Sequence, residues 1–201
     1  MTVLVDRDTR EVIDLLREAM TSSGLSQTAF ARALGTSAPR LSTYLNGTTR
    51  PSAQFLIRAR RIGRALGAAA AQGLMSAPVT ATSMREQYRV GETDWIWRLL
   101  LQGRDHLRLA LTSGNQDLAD AWEAAPSTVG AGEWDTLLAA LTRHEFGHAN
   151  GSPPAWTRTK PLAEPWLPEH PFLSPERIKA QTPDWLRQLN IYVPERDLVT
   201  A

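Results

Sequence analysis

The sequence predicts an all-α protein with two helical modules, and three of its features favour that class. Apolar residues recur at the 3.6-residue spacing of helices, as at Val12, Leu15, Leu16 and Ala19. Serine or threonine precedes several such stretches and glycine or asparagine follows them, as expected for helix caps. No stretch shows a convincing strand alternation, and the best candidate, residues 191–193, is short.

The composition narrows the class of protein further. The 201 residues include no cysteine, which excludes disulfides and thiolate metal sites and suits a reducing cytoplasm. No run of eighteen apolar residues and no charged-then-apolar leader occurs. We therefore expect a cytoplasmic protein without a membrane partner.

The distribution of tryptophan divides the chain. All seven tryptophans lie at or beyond Trp95, so we expect a head at residues 1–72, a linker at 73–83 containing Gly73 and Pro78, and a second module at 84–201. The second module is expected to be helical and rich in tryptophan, with helices near 92–112, 115–124, 132–149, 174–180 and 182–189. After Gly151 its tail is rich in proline and is expected to be extended and held down by Trp156, Trp166 and Phe172.

The N-terminal part of the chain carries an uneven charge, although the net charge of the chain is only +1. Between Glu18 and Glu86 there is no acidic residue. The same stretch contains eight arginines, at positions 32, 40, 50, 58, 60, 61, 64 and 85. Such a concentration of one sign predicts a polyanionic partner.

Residues 25–47 have the spacing of a helix-turn-helix motif. Ser26 and either Thr36 or Ser37 are predicted to cap two successive helices, and Gly35 provides a turn position open to positive φ. Asn46 and Gly47 end the second helix. In this arrangement the N-terminal half of the second helix is free to enter the major groove of DNA.

The pattern L-S-Q-x-x-x-A-x-x-L-G, followed by S-x-x-x-L-S-x-Y-L-N-G-x-x-x-P, resembles the phage-repressor and Cro-like helix-turn-helix family, also called the xenobiotic-response-element type, over about residues 10–67. The resemblance implies that operator DNA is contacted by Gln27, Ser37, Ala38, Pro39, Arg40, Ser42, Thr43, Tyr44, Asn46 and Arg50. Ala38 and Pro39 depart from the long polar readers of many relatives, which leaves Arg40 as the expected guanine reader. Tyr44 fits either a phosphate contact or a packing residue.

A second motif, His144-Glu145-Phe146-Gly147-His148, matches H-E-x-x-H, in which two histidines bind zinc and the glutamate acts as a general base. The expected third ligand is missing, because Pro154 stands in its place and Glu164 and Glu169 lie in proline-rich chain. We therefore expect no metal, no cofactor and no enzymatic activity, and we expect His144 and His148 to belong to a packed helical stripe. A zinc peptidase fused to a DNA-binding head remains an alternative.

The tail, including the stretch from Thr182 to Val193, is similar to the tail of actinobacterial regulators linked to toxin–antitoxin pairs. We expect a transcriptional repressor, autoregulatory and homodimeric, that binds a double-stranded operator. Its dimer contacts are expected from Phe55, Leu66, Leu74 and the tryptophan-bearing helices. An antitoxin that mainly neutralises a partner toxin is the other alternative.

Overall fold

The computed structural model describes residues 6–199, and helices form its framework. Within this range there are ten α-helices: α1 (Arg7–Ser23), α2 (Gln27–Ala33), α3 (Ala38–Leu45), α4 (Ala53–Ala71), α5 (Ala77–Val90), α6 (Thr93–Thr112), α7 (Gln116–Asp120), α8 (Gly132–His148), α9 (Pro175–Gln181) and α10 (Asp184–Arg187). Short 3₁₀ helices lie at Ala155–Thr157 and Glu195–Leu198. Between residues 6 and 199 the one β-type pairing is an isolated parallel bridge between Trp166 and Ile191. The predicted all-α class is confirmed.

The chain folds into two compact units, and unit 1 contains residues up to Val79 together with Ser113–Ser127. Its main layer is α1 packed against α4, which buries Leu16 and Ala19 on one helix and Ile62 and Leu66 on the other. The two backbones approach closely at Gly63, where an added Cβ would lie 2.3 Å from the carbonyl oxygen of Ala19. Helices α2 and α3 pack beside this pair.

The segment Ser113–Ser127 completes unit 1 although it lies far along the chain. Its helix α7 packs on α4, and Trp122, which follows α7, is only 1 % exposed. The backbone N–H of Ala125 donates to the carbonyl of Ala33 at 3.3 Å. Residues that the sequence places in the second module thus form part of the core of the head.

Unit 2 contains Thr80–Thr112 and the chain from Thr128 onward. Helices α6 and α8 pack together, with Ile96, Leu100, Leu107, Leu137 and Leu141 among the buried residues. In the tail, Trp166 exchanges backbone hydrogen bonds with the strand-like segment after α10: its N–H donates to Asn190 and its carbonyl accepts from Tyr192. The ring of Trp166 lies 5.1 Å from that of Trp134 and 6.2 Å from that of Trp97.

Three details differ from the sequence-based expectations. Helix α5 begins at Ala77 inside the expected linker, because Pro78 sits in the first turn, where its missing N–H needs no helical acceptor. Phe172 is 86 % exposed and does not hold the tail down. Leu66 is 4 % exposed and is used in the core of unit 1, so it is not available as a dimer contact.

Candidate nucleic-acid interface

Local hydrogen bonds build the helix-turn-helix that the sequence predicts. The hydroxyl of Ser26 accepts from the Ala29 N–H and that of Ser37 accepts from the Arg40 N–H, both at 3.3 Å, so each serine caps its helix. Gly35 has φ of 70° in the turn between them, a conformation that costs glycine little. Pro39 lies in the first turn of α3, and Gly47, with φ of 71°, follows its end.

The surface around the N-terminal half of α3 brings the predicted contact residues together. Six of the ten are exposed: Gln27, Ser37, Pro39, Arg40, Asn46 and Arg50. Three are half-buried: Ala38, Ser42 and Thr43. The exception is Tyr44, which is only 5 % exposed.

Tyr44 packs inside unit 1, and its hydroxyl contacts the exposed side chain of Arg40. Its ring lies 5.1 Å from that of Phe55 on α4. Its hydroxyl accepts a 2.7 Å hydrogen bond from Nε of Arg40, and the Arg40 guanidinium lies 5.9 Å from the centre of the Tyr44 ring. A buried, rigid ring therefore sets the direction of the exposed arginine, a link that the sequence alone does not reveal.

Arg50 is held by an ion pair with Asp6, the residue that caps α1. One Arg50 nitrogen lies 2.6 Å from Oδ2 of Asp6, and both side chains are largely exposed. The backbone N–H and then the hydroxyl of Thr9, together with Arg50, lower the pKa of Asp6 to about 2. An exposed pair of this kind contributes little to stability, so a DNA phosphate can compete for Arg50.

The basic stretch of the head is partly neutralised within unit 1. Arg61 contacts Asp120 at 2.9 Å and Glu123 at 2.6 Å, and Arg64 contacts Asp117 at 3.0 Å. The hydrogen bond to Glu123 is the main reason that the pKa of Arg61 is raised. Within residues 6–199, five arginines of the stretch have no hydrogen bond or ion pair to a carboxylate: Arg32, Arg40, Arg58, Arg60 and Arg85. The basic stretch therefore has fewer unpaired arginines available for a polyanion than the sequence suggests.

The H-E-x-x-H residues of α8 separate onto two faces. Nε2 of His144 lies 2.9 Å from Nε2 of His148, whereas Glu145 is 3 % exposed and bound by Arg104 and Arg108 of α6. Burial opposes ionisation of Glu145, but the hydrogen bonds and charges of Arg108 and Arg104 outweigh it and lower its pKa. His144 and His148 therefore do not continue the core stripe of α8, since one is half-buried and the other exposed.

Comparisons with known proteins agree with the geometry of unit 1. Residues 14–72 match the family model of a helix-turn-helix domain, which spans most of α1 and all of α2 to α4. The searches of curated proteins and of solved structures returned no match to the chain.

The part of the chain that the structure describes has neither a metal-binding cluster nor a helix that could cross a membrane. Among residues 6–199, no group of three or more His, Asp or Glu side chains is arranged to hold a metal ion. None of the helices described has the length and apolar character that a membrane crossing requires.

Proposed function

We propose that this protein is a sequence-specific transcriptional repressor that reads its operator with α3. A helix-turn-helix domain indicates a DNA-binding regulator. The observation that carries the more specific proposal is the pair Arg40 and Tyr44: an exposed arginine on the recognition helix, oriented by a hydrogen bond to a buried ring. Preorganised in this way, a guanidinium can donate two hydrogen bonds to O6 and N7 of guanine.

The neighbouring exposed residues provide the phosphate contacts of the proposal. Gln27 begins α2, Asn46 ends α3, and Arg50 lies in the loop before α4. Contacts of this kind fix the register of the protein on the duplex without reading sequence. Binding over a promoter then blocks transcription sterically, and we propose that the regulated operon includes the gene for this protein.

The protein is further proposed to bind as a homodimer. A single recognition helix covers only a few base pairs, and two heads on half-sites about 34–36 Å apart supply the missing specificity. Light scattering is expected to give twice the 22.2 kDa chain mass, and footprinting a palindrome. A monomer that protects one asymmetric half-site at full affinity contradicts the dimer.

We propose no catalytic role for the chain. In a zinc peptidase the glutamate of H-E-x-x-H must reach a metal-bound water. Here the Glu145 carboxylate is engaged by two arginines on the side of α8 that faces α6. Zinc analysis of purified protein is the test: no zinc is expected, and one zinc per chain that is lost in both His144→Ala and His148→Ala favours the peptidase.

The main test of the reading role compares two arginine variants. Arg40→Ala is expected to weaken operator binding by about 1–3 kcal/mol while hardly changing binding to random DNA. Arg10→Ala removes the same charge from the exposed surface of α1 and serves as the matched control. Gel-shift titrations at one fixed salt concentration measure both, and an equal loss on the two DNAs reduces Arg40 to a phosphate contact.

A further inference from the structure

Unit 2 contains a cleft that the proposed DNA-binding function does not use. Its volume is about 650 Å³, within the range of small-molecule sites. Three segments form it: the C-terminal half of α8, the segment Thr157–Thr159, and α10 with the residues after it. We call it the basic cleft.

The charge of the basic cleft has a single sign. Arg143 of α8 and Arg158, which follows the 3₁₀ helix Ala155–Thr157, both line it, and His144 and His148 belong to the same lining. Among the described residues that line it there is no aspartate or glutamate. Over the described part of the chain, neither arginine side chain forms a hydrogen bond or an ion pair.

Two acidic residues that adjoin lining residues in the sequence, Glu145 and Asp184, have other partners or face solvent. Glu145 is held by Arg104 and Arg108 of α6. Asp184 is 86 % exposed and lies 3.6 Å from Arg187. The two arginines of the cleft thus keep their full hydrogen-bonding capacity for a ligand.

The histidines of the cleft are held in place rather than loose. The ring of Trp185 stacks on His144 with centroids 4.2 Å apart and planes 15° from parallel, and Nε2 of His148 lies 2.9 Å from Nε2 of His144. Gln188, one turn after Trp185, adds an amide donor to the lining. Side chains that are already fixed in this way lower the entropic cost of binding a ligand.

We propose that the basic cleft binds a small phosphorylated anion. Arginine forks match phosphate oxygens in bidentate geometry, and two of them in the lining of one cleft suit a group with several negative oxygens. The volume accommodates a ligand of about mononucleotide size. The site is concave, which favours a free small molecule over the backbone of a duplex.

The test is calorimetric titration of the full-length protein with inorganic pyrophosphate and with adenosine 5′-monophosphate, using adenosine as the uncharged comparison. Both anions are expected to bind and adenosine to bind far more weakly. Arg143→Gln and Arg158→Gln are each expected to weaken pyrophosphate binding about tenfold, the effect of losing one charged hydrogen-bonding partner. Arg177→Gln, an exposed arginine of α9 outside the cleft, is the matched control and is expected to leave binding unchanged.

The outcomes separate a small ligand from nucleic acid. Absence of binding by either anion at millimolar concentration overturns the proposal, as does an equal loss in Arg177→Gln. A loss of affinity for duplex DNA in Arg143→Gln and Arg158→Gln, without pyrophosphate binding to the unaltered protein, overturns it in favour of a phosphate contact with DNA. Because the titration contains no DNA, pyrophosphate binding supports the cleft even if no operator is bound.

Discussion

At the start of α3, one hydrogen bond joins the exposed side chain of Arg40 to the buried ring of Tyr44. The two residues are four apart, so they lie on one face of the helix. An arginine of this kind otherwise loses side-chain entropy when it binds a base. Fixing it in advance reduces that loss.

We expect Tyr44→Phe to weaken operator binding while leaving the fold intact. Phenylalanine retains the packing on Phe55 but removes the acceptor of the Arg40 hydrogen bond. The expected cost is about 1 kcal/mol in operator affinity, the usual contribution of one hydrogen bond. Gel-shift titration measures it, and in the Arg40→Ala background the same change is expected to have no further effect. A full additional loss in that background shows that Tyr44 acts independently of Arg40.

At the scale of elements, the close packing of α1 against α4 requires that residue 63 has no side chain. Gly63→Ala places a methyl group 2.3 Å from the Ala19 carbonyl oxygen, a backbone atom that cannot move aside without its helix. We expect a destabilisation of about 1–3 kcal/mol from overpacking, although alanine is intrinsically the better helix former by about 1 kcal/mol.

The matched control for Gly63→Ala is Gly147→Ala in α8. An added Cβ there meets nothing within 4 Å, so the change is expected to stabilise the protein by up to about 1 kcal/mol. Urea denaturation followed by circular dichroism measures both variants. If both shift the midpoint in the same direction, the close approach of α1 and α4 is not the cause.

The α6–α8 contact depends on a buried carboxylate. We expect Glu145→Gln to destabilise unit 2 by about 3 kcal/mol, because Arg104, only 7 % exposed, loses its counter-charge. The exposed Glu86→Gln on α5 is the control and is expected to change stability little. Equal effects of the two substitutions contradict a special role for the buried pair.

The same carboxylate gives the stability a pH dependence. The pKa of Glu145 is lower in the folded protein than its ordinary value of 4.5, so the charged form contributes stability above pH 4.5. That contribution is lost as the pH falls below 4.5 through the folded-state pKa. Urea midpoints measured from pH 6 to pH 3 are therefore expected to fall more steeply for the unaltered protein than for Glu145→Gln, and parallel curves contradict this assignment.

On the scale of the whole molecule, neither unit is one continuous stretch of the chain, because Ser113–Ser127 belongs to unit 1 although unit 2 begins at Thr80. Trp122 lies beyond Trp95 in sequence yet is buried in unit 1. We expect Trp122→Ala to cost about 3–5 kcal/mol, as for other buried aromatic residues. Amide hydrogen exchange is expected to accelerate in α4 and not in α8.

The control for Trp122→Ala is Trp95→Ala, because the Trp95 side chain is 51 % exposed and its removal leaves no cavity in the core. It is expected to leave exchange in both units nearly unchanged. Faster exchange confined to α6 and α8 in Trp122→Ala contradicts the assignment of Ser113–Ser127 to unit 1.

The sequence by itself determined the helices and turns that depend on interactions between residues close together in the chain. Ser26, Gly35, Ser37 and Gly47 specify caps and turns through hydrogen bonds and dihedral preferences that span four residues or fewer, so the helix-turn-helix was predictable. The spacing of apolar residues likewise placed α6 and α8 close to their observed bounds. The whole of α5 was missed, in part because a proline serves equally as a helix breaker and as a first-turn residue.

Only the tertiary structure decided which distant charges meet. Arg61 and Arg64 find their carboxylates 53 to 62 residues away, and Glu145 finds Arg104 at a separation of 41. Arg61 and Arg64 are therefore partly neutralised, which reduces the basic surface that the sequence predicts for a polyanionic partner. Glu145 is paired with arginines and is not available as the general base of H-E-x-x-H. Arg143 and Arg158, in contrast, line one cleft. The physical reason is that such contacts follow from the packing of whole helices, and no local propensity of the residues involved encodes it.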